Sequence, residues 1–151
     1  MVFTTLKNTN QEVVIHFASS AAESGTITIA NLTASTQARN SDIATANIVK
    51  WQVTGELASK VTIVRNSKLV IACAPENAPY AELNAWGIPL TNDNGSDIVI
   101  TNGAAKDVTG ILVLRKIAGW STKVENEVYG AYDDVSRVGA STTLSGSPDK
   151  V

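Results

Sequence analysis

Short apolar runs of four to eight residues recur along the chain, most of them alternating in character and all broken by clusters of Asn, Gly, Ser and Asp. A period of two places alternate side chains on one face of a strand, and regular punctuation by turn residues marks an antiparallel all-β fold. Val, Ile and Thr dominate these runs, and β-branched side chains favour pleated surfaces over helices. No stretch of ten or more residues keeps a helical period.

Eight runs carry the pattern: 12–18, 25–30, 47–54, 60–65, 68–73, 97–101, 108–116 and 123–129. Asn66-Ser67 separates two of them and predicts a hairpin turn, because Asn tolerates positive φ. Alternation puts Val13, Ile15 and Phe17 on one face, and Val49, Trp51 and Val53 on another. Ile48, Lys50 and Gln52 fall opposite that second set. The predicted core adds Ile27, Ile29, Ile63, Ile71, Ile98, Ile100, Leu112 and Leu114. Pro79 to Trp86 is the best candidate for a short helix. Eight short strands predict a single-domain antiparallel β-sandwich, immunoglobulin-like or jelly-roll-like, over residues 1–138, with an extended C-terminal arm over 139–151.

The chain's 151 residues are the size of one domain, and its 12 basic and 14 acidic residues leave a net charge of −2. That balance gives no electrostatic footprint for nucleic acid. No apolar run approaches the roughly 20 residues of a membrane-spanning helix. Val2, Phe3, Thr4, Thr5 and Leu6 follow Met1 without a basic segment or long apolar run, so no signal peptide is predicted. Cys73 is the chain's one cysteine, and its apolar run marks it as a small core residue.

Little of the sequence suggests catalysis. His16 is the only histidine, and it alternates to the outer side of its strand. No nucleophile motif accompanies it. Asn92 to Asp97 resembles half of a calcium loop but runs directly into a strand, so it is expected to be a turn. Adjacent Asp133 and Asp134 point opposite ways on an extended chain and are also expected in a turn. The expectation is no catalytic residue, no metal and no cofactor. Trp86 and Trp120 sit beside glycines at loop-like positions, where an indole can anchor a protein or stack on a sugar.

Three segments carry a family resemblance: Thr5-Leu6-Lys7-Asn8-Thr9-Asn10-Gln11-Glu12, Ser96-Asp97-Ile98-Val99-Ile100-Thr101, and Leu114-Arg115-Lys116-Ile117-Ala118-Gly119-Trp120-Ser121-Thr122-Lys123. Tyr132-Asp133-Asp134 and Val138-Gly139 follow. Together they resemble small virion structural proteins of tailed phages of marine bacteria, particularly cyanobacteria. The resemblance implies a non-enzymatic particle component, made in the host cytoplasm. A capsid decoration (cement) protein bound to the major capsid protein is the leading form. A neck, tail or fibre-associated virion protein is the alternative, as is an adhesion module for a host glycan. A homo-oligomer within the assembly is expected, with no nucleic-acid or membrane partner. The polar ends, residues 1–10 and 137–151, are expected to bind a neighbouring subunit, with Leu144 and Val151 as apolar anchors.

Overall fold

A computed structural model describes residues 1–83 and 94–122. Eleven strands are described. They are β1 (Val2–Asn8), β2 (Glu12–Ser19), β3 (Glu23–Ile27), β4 (Gln37–Arg39), β5 (Ala46–Gly55), β6 (Val61–Arg65), β7 (Lys68–Cys73), β8 (Tyr80–Glu82), β9 (Ile98–Asn102), β10 (Val108–Lys116) and β11 (Trp120–Thr122). Helical structure among the described residues is limited to short 3-10 turns, Ile29–Leu32, Pro75–Asn77 and the position of Leu83. The protein is therefore all-β. Its two larger sheets are antiparallel, ordered β1-β2-β10-β5-β8 and β3-β9-β6-β7.

Both sheets belong to the larger of two compact units, Met1–Ala34 with Arg39–Trp120. Among the described residues, the second unit takes in Ser35–Ala38, Ser121 and Thr122. β4 and β11 form a separate two-stranded sheet. The expected strand over 123–129, the arm over 139–151, and Trp86, Asp133, Asp134, Leu144 and Val151 lie outside the described residues.

β10 is the spine of the larger unit. It pairs with β2 along one side, from Val108 opposite Ser19 to Arg115 opposite Glu12. It pairs with β5 along the other, with Leu112 opposite Trp51. Its inward residues Val108, Leu112 and Leu114 join Val13, Ile15, Phe17, Val53, Ile63, Ile98 and Ile100 in one hydrophobic cluster fed by both sheets. Gly110 is the gap in that inward stripe. A Cβ there would overlap the Phe17 ring and lie 2.8 Å from the Gln52 carbonyl oxygen, so glycine lets the ring cross the strand.

The predicted core is buried as expected except at Trp51. Trp51 is half-buried: its cross-strand neighbours are Leu112 of β10 on one side and the small Ala81 of three-residue β8 on the other. The expected face assignment in β5 also needs correction. Val113 pairs with Lys50 and Leu114 with Ile48, so Val49 is an extra residue in a bulge. Ile48 and Val49 are consequently both buried. The expected run over 25–30 ends early, because the Thr28 hydroxyl accepts from the Asn31 amide and starts a 3-10 turn. Tyr80–Glu82, expected in a short helix, instead pairs with β5 as β8. The β6–β7 hairpin forms as predicted, with φ of 47° at Asn66 and 62° at Ser67.

The expectation that residues 1–10 leave their own core is overturned. β1 pairs with β2 from Val2 opposite Ala18 to Asn8 opposite Val13. Met1 and Phe3 pack on the core, and the Met1 ammonium pairs with Glu23. Backbone pairing with β2 and these core contacts together order the segment.

Arg65 is a fully buried cation at 1% exposure. Its guanidinium donates to the carbonyls of Ala46 (2.8 Å), Asn94 (2.8 Å) and Ser96 (2.7 and 3.1 Å). It thereby ties β6 to the first residue of β5 and to the turn before β9. Burying a charge without such partners is costly.

Gly110→Ala should lower unfolding stability by about 1–3 kcal/mol, the usual cost of forcing extra volume into a packed core. Gly103→Ala, whose Cβ would find its nearest neighbour at 3.5 Å, should cost much less. Urea melts of the two variants check the difference.

Candidate functional site

Two of the three segments that carry the resemblance meet at one corner of the larger unit. β10 ends at Lys116, and its backbone amide donates to the Gln11 carbonyl (2.8 Å). The Lys116 ammonium donates to Asn8 Oδ1 (2.9 Å) and to the Thr9 carbonyl (2.8 Å). Thr9 shapes the β1–β2 turn, its hydroxyl accepting from the Gln11 and Glu12 amides. Lys116 therefore fastens the β1–β2 turn to the end of the central strand.

Four residues on, the Trp120 ring lies beneath the Lys116 ammonium, 5.0 Å from Nζ to its centroid. That is within cation–π range. The indole N–H donates to the Thr45 carbonyl (2.9 Å). Trp120 is half-buried and packed on the hydrophobic cluster. Its polar group and one ring face, which a sugar would use, are already engaged.

The intervening turn needs glycine. Gly119 has φ +82°, and a Cβ there would lie 2.5 Å from the Ala44 backbone. That close approach lets residues 40–45 zip onto 117–119. Asn40 N donates to Gly119 O (2.8 Å), Thr45 N to Ala118 O (3.0 Å) and Ile117 N to Thr45 O (3.0 Å). Ile43 and Ile117, on the two zipped segments, are 56% and 52% exposed. The corner thus presents two isoleucines on a rigid, hydrogen-bonded frame. Sequence reading singled out Trp120 but missed Ile43, Ile117 and Lys116. Ile43 follows a polar stretch, and only the backbone pairing of residues 40–45 with 117–119, far apart in sequence, brings it here.

The other expected site residues are dispersed. His16 lies on the outer face of β2, opposite Thr4 and Ile111. It borders a shallow groove of about 220 Å³ with Gln52, Thr54, Thr109, Gly110 and Ile111, a lining without a carboxylate. Cys73 is half-buried at the end of β7, and burial raises its thiol pKa. Asp97 accepts from the Ile29 amide (2.9 Å). In the turn before it, the Asn94 and Ser96 carbonyls, oxygens of the kind a calcium ion takes, already face the Arg65 guanidinium. Among the described residues, no group of three or more His, Cys, Asp or Glu is placed to hold a metal ion.

No protein-family model matches this sequence. No curated protein is significantly similar to it.

Burial lowers the Lys116 ammonium from the ordinary lysine value of 10.5 to about 8. Between those values the unfolded chain holds a proton that the folded chain has released. Stability should therefore rise as pH rises from about 8 to about 10.5. Lys116→Met should remove that rise, as urea melts across the interval would record. Calcium should leave the melting temperature unchanged, while Asp97→Ala should lower it with or without calcium. A calcium-dependent rise that Asp97→Ala abolishes would assign the turn to metal instead.

Proposed function

We propose that this protein is a structural component of a tailed-phage virion, a capsid decoration protein that binds the outer surface of the head and stabilises it. In this reading the two larger sheets are the layers of an antiparallel β-sandwich, and residues 139–151 are an arm that reaches a neighbouring subunit. The major capsid protein is the partner, and the site of action is the assembled particle.

The observation that carries the reading is the Lys116 corner. Thr5–Glu12 and the segment beginning at Leu114, both bearing the resemblance to phage virion proteins, are bonded to each other there through Asn8, Thr9 and Gln11. The same frame holds Ile43 and Ile117 outward. Small apolar contacts of this kind bind weakly one at a time. On a symmetric shell, repetition and tethering to neighbours multiply them into firm attachment.

The test is a count on purified particles of the encoding phage, by quantitative mass spectrometry. A decoration protein should be present at on the order of hundreds of copies, matching the many equivalent positions of a symmetric head. Six or twelve copies would move the protein to the neck or tail, and its absence from the particle would overturn the virion reading. Deleting residues 139–151 should weaken attachment to heads while leaving the melting temperature nearly unchanged.

A further inference from the structure

The chain holds two Asn-Gly pairs, Asn94-Gly95 in the turn before β9 and Asn102-Gly103 at the end of that strand. Such a pair carries both partners of a reaction. The glycine nitrogen, once deprotonated, is a nucleophile, and the asparagine side-chain amide is its electrophile. The two sit on neighbouring residues, which gives the attack an intramolecular advantage. Glycine adds no Cβ to obstruct it. Folding then decides which pair reacts, because the nitrogen must be open to base and the side chain must be free to turn toward it.

The fold locks Asn102-Gly103. Asn102 is 1% exposed and pairs with Val61 on one side and Glu23 on the other. Its Nδ2 donates to the Lys106 carbonyl (2.9 Å) and to Ser19 Oγ (3.4 Å), and its Oδ1 accepts from the Ala104 amide (3.4 Å). The Gly103 amide donates to the Lys60 carbonyl (2.8 Å). Nucleophile and electrophile are both pinned. Asn94-Gly95 is open. Gly95 is exposed, and among the described residues its amide donates to no acceptor. Asn94 is half-buried, and its side chain is held by a bond from Nδ2 to Asn47 Oδ1 (2.9 Å). The Asn94 carbonyl accepts from the Ala46 amide (2.9 Å) and from the Arg65 guanidinium (2.8 Å). That carbonyl and the Gly95 nitrogen belong to one amide. When the nitrogen loses its proton, the charge spreads onto the oxygen, where a buried cation already donates. A donor fixed in place stabilises such charge without reorganising.

We infer that Asn94 is a site of spontaneous self-modification, at which the Gly95 nitrogen closes a succinimide ring on the Asn94 side chain. The nitrogen gives its proton to hydroxide, and its electron pair forms the bond to Cγ. The Cγ–Nδ2 bond breaks, and Nδ2 takes a proton from water and leaves as ammonia. A second water opens the ring at either carbonyl, leaving aspartate or isoaspartate, with no change of oxidation state. In the isoaspartate product the chain runs through Cγ. That adds a methylene to the turn whose Asn94 and Ser96 carbonyls receive the Arg65 guanidinium. The inference stands apart from the virion reading, since it needs only the isolated protein.

Peptide mapping by mass spectrometry tests this on the full chain, kept folded in mildly alkaline buffer over days to weeks. Conversion at Asn94 should outrun conversion at Asn102 by at least about tenfold. In concentrated urea the two pairs should convert at similar rates, because the protection of Asn102 belongs to the fold. The Asn94 product should contain isoaspartate as well as aspartate, which direct hydrolysis of the side chain does not give. Gly95→Ala places its Cβ 3.5 Å from the nearest neighbour, the Ala44 carbonyl oxygen. It should keep the thermal melt and slow conversion at least about tenfold, by crowding the attacking nitrogen. Should that variant fail to fold, the isoaspartate reading on the wild type makes the same test of the ring. An Asn94 that stays intact in the folded protein overturns the inference. So does an Asn102 that converts as fast while folded or stays slower in urea, a product of aspartate alone, or a folded Gly95→Ala that converts like the wild type.

Discussion

The larger unit depends on β10 being hydrogen-bonded along both sides. Its nine residues pair with β2 and β5, and a strand so enclosed cannot shift register without turning every inward side chain outward. Val108, Leu112 and Leu114 are thereby committed to the core. Gly110 leaves room for the Phe17 ring, so the strand and its neighbour interlock across their shared face. The Val49 bulge is the local adjustment that this imposes on β5. One extra residue lets Ile48 and Val49 both go inside, which strict alternation forbids.

Arg65 plays a different part. Apolar contact is indifferent to direction, but a guanidinium that must satisfy its donors in a dry interior is not. By taking the carbonyls of Ala46, Asn94 and Ser96, it joins the two sheets at a defined place and sets the turn that leads into β9. The same cation explains why Asn94 to Asp97 works as a turn. The oxygens are present, but they face a positive charge belonging to the protein.

Lys116 repeats the device at the end of β10. Its ammonium holds the β1–β2 turn on one side and the Trp120 ring on the other. Burial makes that charge expensive, and the lowered pKa reflects the expense. What the corner gains is rigidity beside two exposed isoleucines. An apolar contact presented on a fixed frame loses less entropy on binding than one carried by a mobile loop.

The period-two pattern determined the fold class, most of the inward residues and the Asn66-Ser67 hairpin. These follow from properties of adjacent residues: alternation of Cβ direction and tolerance of positive φ. β1 was not legible as a strand of its own chain, because Thr4, Thr5, Lys7 and Asn8 supply no apolar stripe and the ladder with β2 orders them. The three residues of β8 were too few to show a period. Trp120 was legible as an indole beside a glycine, but its role was not. Thr45, which takes its N–H, lies 75 residues away in sequence. Which outward residues share a face was hidden for the same reason. Each strand's outward residues are readable one at a time, but the long-range pairing of β3, β9, β6 and β7 decides which strands lie side by side. A single sequence records spacing along the chain, whereas these surfaces are defined by distances across it.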